Sequence, residues 1–184
     1  MTEKKKSFKE FFLPIIVLVS ICAVIAAAMA TVNFVTEKKI ENGHKQSEED
    51  ALSIVVPNND GFTEVELSEI PESVIGIYVD NGSAKMALML SVKGYDSSSP
   101  MSVAVGFDEN GKITKCHVIS CNGETKGIGS KVSDESFLSR FYGVDNVSSV
   151  DTISGATISS KAFKEALADA CAVVEQYKAT EVTK

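Results

Sequence analysis

The run Asp151-Thr152-Ile153-Ser154-Gly155-Ala156-Thr157-Ile158-Ser159-Ser160-Lys161 places small and hydroxyl-bearing residues where a strongly amphipathic stretch begins. The free N–H groups of a first helical turn, together with the helix dipole, favour an anion. Gly155 and Ala156 let the backbone come close to a ligand, and Lys161 adds a positive charge one turn in. The chemistry on offer is phosphate binding. The plainer use of the same residues is a Ser/Thr helix cap. A second run, Gly123-Glu124-Thr125-Lys126-Gly127-Ile128-Gly129, combines three glycines with a threonine. It suits close approach of a flat ligand or a phosphate, or an ordinary glycine-rich turn.

Other chemistries lack their parts. The two histidines, His44 and His117, stand in no metal-ligand spacing, and a Ser/His/Asp triad finds no supporting arrangement. Both read as structural or solvent-exposed residues. No catalytic side chain and no metal ligand is assigned. Gly127-Ile128-Gly129-Ser130-Lys131 lacks the spacing of a P-loop, and a dinucleotide fingerprint is absent. Cys116 and Cys121 have no third cysteine near enough for an iron–sulfur cluster. They and Cys22 and Cys171 read as free thiols acting as small hydrophobes.

The two runs need a scaffold. Phe163, Ala166, Leu167, Ala170, Val174 and Tyr177 recur every three or four residues, with Lys161, Lys164, Glu165, Asp169 and Glu175 on the opposite side. That predicts an amphipathic helix starting at or just after Thr157. Val74–Val79 and Ala84–Lys93 flank Asp80-Asn81-Gly82, and Met101–Phe107 and Lys112–Ser120 flank Asp108-Glu109-Asn110-Gly111. These read as two hairpins. A short helix is predicted over Asp134–Tyr142, with Phe137, Leu138 and Phe141 on one face. The fold class is α+β, an antiparallel-rich sheet with packed helices.

The 184 residues carry a net charge of −7. This acidity argues against nucleic acid as a partner, and the lack of Trp argues against a base-stacking platform. The charge is uneven: residues 1–39 hold six Lys against three acids, and residues 40–184 hold twelve bases against twenty-two acids. From Phe11 to Thr36 there are 26 uncharged residues, reaching ~39 Å as a helix against a hydrocarbon core of ~30 Å. This predicts one membrane-spanning helix in contact with lipid, with Pro14 in its first turn. Ala28-Met29-Ala30 has the small-x-small pattern of a signal-peptidase site, but the apolar run continues through Val35, which favours a retained anchor. Lipidation of Cys22 is disfavoured by the bulky Ile21 before it. Lys4, Lys5, Lys6 and Lys9 before the span, against Lys38, Lys39 and Lys45 after it, favour a cytoplasmic N-terminus. The organisation read is a cytoplasmic tail over 1–10, the span over 11–36, a helical connector over 37–73 and a soluble domain over 74–184.

Both chemical runs, in this order, resemble the FMN-binding domain found in the G subunit of the Rnf electron-transport complex and in the C subunit of the sodium-pumping NADH:quinone reductase. The family's Ser-Gly-Ala-Thr motif stands here as Ser154-Gly155-Ala156-Thr157, with Asp151 at its acidic position. Its Glu-Thr-Pro-Gly-Leu-Gly loop stands as Glu124-Thr125-Lys126-Gly127-Ile128-Gly129, with Lys126 in place of Pro. Lys93-Gly94-Tyr95, Val105-Gly106-Phe107-Asp108 and Gly111-Lys112-Ile113 are further shared features. The resemblance implies FMN held covalently through a phosphoester to Thr157, attached by a flavin transferase that uses FAD. It also implies a cofactor site formed with Ser154, Gly155, Ala156, Ile158, Ser159, Lys161, Glu124, Thr125, Gly127 and Ile128. The implied setting is a cell-membrane complex with other membrane and peripheral subunits. There an extracytoplasmic flavin domain relays electrons between ferredoxin and NAD⁺, coupled to Na⁺ or H⁺ movement. Two other readings are the equivalent quinone-reductase subunit or a free-standing extracellular FMN carrier, and a non-redox, membrane-tethered binding module in which Ser154–Thr157 is only a cap.

Overall fold

The computed structural model describes residues 3–67, 69–144 and 146–181, with side chains excepted over 3–11 and at 35, 37–42 and 44. The chain divides into two compact units, Met1–Gln46 and Ser47–Lys184.

The first unit is helical. Helix α1 covers Glu3–Val55, and its Phe12–Phe34 segment is long and apolar enough to cross a membrane. The helix starts before the apolar run, because nothing from Glu3 to Glu10 is a helix breaker. Pro14 therefore lies inside the helix rather than in its first turn, and the hydrogen bond from position 14 to the carbonyl of residue 10 is lost. Gly43 does not interrupt α1 either; one glycine costs a helix only about 1 kcal/mol. The charge bias read from Lys4, Lys5, Lys6, Lys9, Lys38 and Lys39 involves side chains outside the described residues, and so does the reading of His44 as a solvent-exposed residue.

The second unit is built on a five-stranded antiparallel sheet in the order β1-β2-β3-β4-β5, made of β1 (Phe62–Glu64), β2 (Val74–Asp80), β3 (Met86–Val92), β4 (Met101–Phe107) and β5 (Ile113–Ser120). The α+β architecture read from the sequence is the one found. Register pairs Leu88 with Val105 and Val105 with Cys116. Strand β3 is buried from Met86 to Leu90, as an apolar run without alternation requires when both faces are covered.

On one face lies the larger core. Leu88, Leu90, Val103, Val105 and Phe107 meet Phe163, Leu167, Ala170 and Val174 of helix α3 (Thr157–Glu181). Phe137 packs edge-on against Phe141 with ring centroids 5.1 Å apart, and both touch Phe163. On the other face Ala87, Met89 and Ala104 are covered by Ala51, Leu52, Val55 and Val56.

Two sequence expectations changed shape. The segment read as one helix over 134–142 is a single α-turn, α2 (Glu135–Leu138), between two 3₁₀ turns. Its apolar face is the one expected, with Phe137, Leu138 and Phe141 buried; so short a stretch gains too few ladder bonds to settle into a regular helix. The tight turn read at Asp80-Asn81-Gly82 opens into a longer connection. It is closed by Asp80 N–H to the Lys85 carbonyl at 3.0 Å and by the Asp80 carboxylate, which accepts from Ser83 Oγ at 2.5 Å and Asp60 N–H at 2.9 Å.

Candidate functional site

The start of α3 is set by a turn. Ala156 N–H donates to the Ile153 carbonyl at 3.0 Å, and Gly155 sits at φ +83°. A left-handed residue at the third position of such a turn is what glycine supplies without steric cost. Ser160, fully buried, staples this turn from below. Its Oγ donates to the Ala156 carbonyl at 2.5 Å and accepts from Ile153 N–H at 3.1 Å. The approach to the turn is fixed by Lys164, whose Nζ donates to the carbonyls of Ser148 (2.9 Å) and Val150. The first ladder bond of the helix is Ser160 N–H to the Ala156 carbonyl at 2.9 Å. The amides of Thr157, Ile158 and Ser159 thus come before the ladder closes. Thr157 and Ile158 face outward, whereas Ser159 is buried.

The glycine-rich loop is folded on itself. The Thr125 carbonyl accepts from Ile128 N–H (3.1 Å) and Ser130 N–H (3.2 Å), and Gly127 N–H donates to Ser130 Oγ at 2.9 Å. Its one acid turns inward: Glu124 is 7% exposed. One carboxylate oxygen accepts from Tyr95 N–H at 2.9 Å and the other from Ser159 Oγ. This ties three chain segments to one side chain. Gly94 and Gly129 make the room, since a Cβ at either would fall on a Glu124 carboxylate oxygen.

Between the two segments lies a cleft of about 230 Å³ lined by Tyr95, Thr125, Ile128, Gly129, Gly155, Ala156, Thr157, Ile158 and Ser159. Of the residues singled out from the sequence, Thr125, Ile128, Gly155, Ala156, Thr157, Ile158 and Ser159 are brought together here. Glu124 lies behind the wall, hydrogen-bonded within the protein. Ser154, Gly127 and Lys161 lie outside the lining; the Lys161 ammonium is exposed and faces Glu165 at 3.9 Å. Tyr95 and Gly129 also line the cleft and Ser160 braces the turn beside it; all three stand in the runs quoted from the sequence but were not assigned to the site. The Gly94-Tyr95 pair after β3 and the doubled serine at the helix start were the available signals.

The chemistry this cleft offers is the binding of a ligand. Among its lining residues there is no His, Lys or carboxylate to act as a base on the Thr157 hydroxyl. The lining is apolar at Tyr95, Ile128 and Ile158, and polar at the helix start. That pattern accepts a flat apolar body with an anionic end. The cysteines stand apart from it. Burial, with Cys171 nearby, pushes the Cys116 thiol well up, and burial raises that of Cys171 to about 11. Among the described residues no cluster of His, Cys, Asp and Glu could hold a metal ion.

Residues 94–172 match the FMN-binding domain family. The chain is also 25% identical over 173 residues to the G subunit of the Na(+)-translocating ferredoxin:NAD(+) oxidoreductase complex of Acetobacterium woodii. That alignment covers 80% of this chain and 83% of the relative.

Proposed function

We propose, from the premise of an FMN-binding domain over residues 94–172, that this chain is the flavin-carrying subunit of an Rnf-type complex, with FMN esterified through its phosphate to Thr157. The observation that carries the reading is the placement of Thr157. Its exposed side chain stands at the first turn of α3, on the lip of a cleft whose other wall is apolar. The residues fit the group. Gly155 opens on free space at the turn, the helix start favours the phosphate, and Ile128, Ile158 and Tyr95 offer apolar surface to the ring.

With no base beside it, the Thr157 hydroxyl is a weak nucleophile, so attachment falls to a flavin transferase. In that step the Thr157 Oγ1–phosphorus bond forms and the pyrophosphate bond of FAD breaks. AMP leaves, and the hydroxyl proton passes to a base of the transferase. The attached FMN supplies one- and two-electron transfer, which no side chain here provides. The chain's own part is to hold the ring, shield one side of it and keep it tethered.

The Phe12–Phe34 helix anchors the protein as a single pass, N-terminus in the cytoplasm and flavin domain outside. There a covalent bond keeps the cofactor from being lost. Electrons pass between ferredoxin and NAD⁺ through the complex, coupled to Na⁺ or H⁺ movement, and the other subunits are the partners. The test is co-expression with a flavin transferase, followed by ultraviolet in-gel fluorescence and mass mapping of the denatured protein. Wild type carries FMN on the peptide containing Thr157. Thr157→Ala carries none while folding normally. An unmodified Thr157 peptide in wild type rejects the reading.

A further inference from the structure

Beyond the span the chain is acidic: residues 40–184 hold twelve bases against twenty-two acids. The rim of the cleft has the opposite sign. Within two residues of its lining residues, the exposed charged side chains are Lys93, Lys126, Lys131 and Lys161 against Asp96 alone. Glu124, in the same stretch, is buried and turned inward to Tyr95 N–H and Ser159 Oγ. Lys93 pairs with Glu72, and Lys161 faces Glu165 at 3.9 Å. Lys126 and Lys131 have no ion-pair partner among the described residues. Both stand on the glycine-rich loop, which is closed by Ser130 N–H to the Thr125 carbonyl and Lys131 N–H to the Ile128 carbonyl, each at 3.2 Å. Their backbones are thereby held beside Thr125, Ile128 and Gly129, outside the lining itself.

We propose that Lys126 and Lys131 make this rim the docking patch for an electron-exchanging protein partner that presents an acidic face. This rests on the reading of FMN at Thr157 given above, since such a partner must come to the mouth of the cleft to reach the cofactor. A cationic rim on an anionic body sets both approach and orientation. The rest of the domain repels an acidic face and the mouth alone attracts it, so wrong approaches are suppressed. Two unpaired lysines are too few to hold a membrane surface, because polybasic lipid-binding segments carry about 4–8 Lys or Arg. The remaining charge of the domain is itself repelled by anionic lipid. An acidic protein face is the occupant that the charges favour.

The first test reads lysine protection and needs no cofactor. The full chain, kept in neutral detergent, is acetylated with a water-soluble reagent, with and without poly-L-glutamate as the acidic probe. Peptide mapping is expected to show Lys126 and Lys131 protected severalfold. Lys115, which pairs with Gly106 on the face that Val55 covers, is expected to react equally with and without the probe. The same chain in vesicles of phosphatidylcholine, with or without phosphatidylglycerol, tests the other occupant. Protection that appears with phosphatidylglycerol and not with poly-L-glutamate gives the patch to lipid and overturns the proposal. Unchanged reactivity of Lys126 and Lys131 under all conditions overturns it too.

The second test reads the sign of the field at the cofactor. The full chain is co-expressed with a flavin transferase, and mass mapping establishes the adduct on Thr157. The flavin is then reduced and reoxidised by ferricyanide, a trianion, or by hexaammineruthenium(III), a trication. Each of two oxidant ions takes one electron from a reduced flavin, whose protons go to the buffer. The net charge of the chain alone predicts that ferricyanide speeds up as salt screens repulsion. The cationic rim predicts the reverse: ferricyanide slows severalfold with added salt and hexaammineruthenium(III) speeds up. Lys126→Gln together with Lys131→Gln should abolish or invert both trends, and Lys115→Gln should leave them. A ferricyanide rate that rises with salt in wild type, or falls equally in the double variant, overturns the proposal while the attachment at Thr157 stands. A wild-type chain without the adduct rejects the Thr157 reading instead, and lysine protection still decides whether the rim binds an acidic face.

Discussion

The two segments that face each other across the cleft look alike in sequence and are held in opposite ways. Residues 153–160 are fixed by neutral hydroxyl bonding: Ser160 Oγ bridges Ile153 N–H and the Ala156 carbonyl, reaching back only 7 and 4 positions of sequence. Residues 123–129 are fixed by a charge, with Glu124 reaching Tyr95 and Ser159 across 29 and 35 positions of sequence. The first device is local and shapes one turn. The second is long-range and sets the distance between the walls. In both, the polar residue that holds the structure points in, leaving Thr157, Ile158, Thr125 and Ile128 free to face a ligand.

Removing the charge tests that contrast most severely. Glu124→Ala leaves Tyr95 N–H and Ser159 Oγ without their acceptor, at about 1–3 kcal/mol for the buried Ser159 hydroxyl and less for the part-buried Tyr95 N–H. Glu124→Gln keeps the shape, accepts from Tyr95 and donates to the Ser159 oxygen, so it should lose much less. Chemical denaturation of the two variants, with the flavin load measured on each, makes the comparison. Equal stability of Glu124→Ala and wild type would show that the carboxylate does not join the segments.

Ser160→Ala should act more narrowly. It removes the two hydrogen bonds of one buried hydroxyl, a loss of about 1–2 kcal/mol, and frees the turn before Thr157 without disturbing the other wall. The expected result is slower flavin attachment by the transferase, with the emission of protein already loaded left unchanged. A change of emission equal to that in Glu124→Ala would mean that the two devices are one.

This difference also explains what could be read from residues alone. Strands β2 to β5 announce themselves as apolar runs between turn residues, and the face of α3 follows from its spacing, so the sheet and its covering helix were legible. Strand β1 was not, because Phe62-Thr63-Glu64 is too short to show a pattern and two of its three residues are exposed. At the site, the turn around Ser154–Thr157 is local and visible in a short window. The role of Glu124 is not, since a carboxylate in a glycine-rich loop looks like a ligand-facing group until its distant partners are known. Tyr95 was quoted in its run but not assigned to the site for the same reason: it joins the cleft through that long-range pin.

The mildest test compares two glycines that share a conformation but not a place. Gly155 and Gly127 lie at φ +83° and +74°, and a Cβ at either meets nothing within 4 Å. Alanine at each pays only the left-handed backbone cost, roughly 1–2 kcal/mol, partly offset by a less disordered unfolded chain. Net losses of about 1 kcal/mol should therefore match between Gly155→Ala and Gly127→Ala in thermal unfolding. Flavin loading should not match. The relaxed backbone at 155 passes directly into Thr157, whereas strain at 127 is taken up by a loop that Ser130 and Thr125 close locally. Loading reduced in Gly155→Ala alone would show that the local turn, and not merely the stability of the domain, governs how Thr157 is presented; loading reduced equally in both would assign the effect to stability.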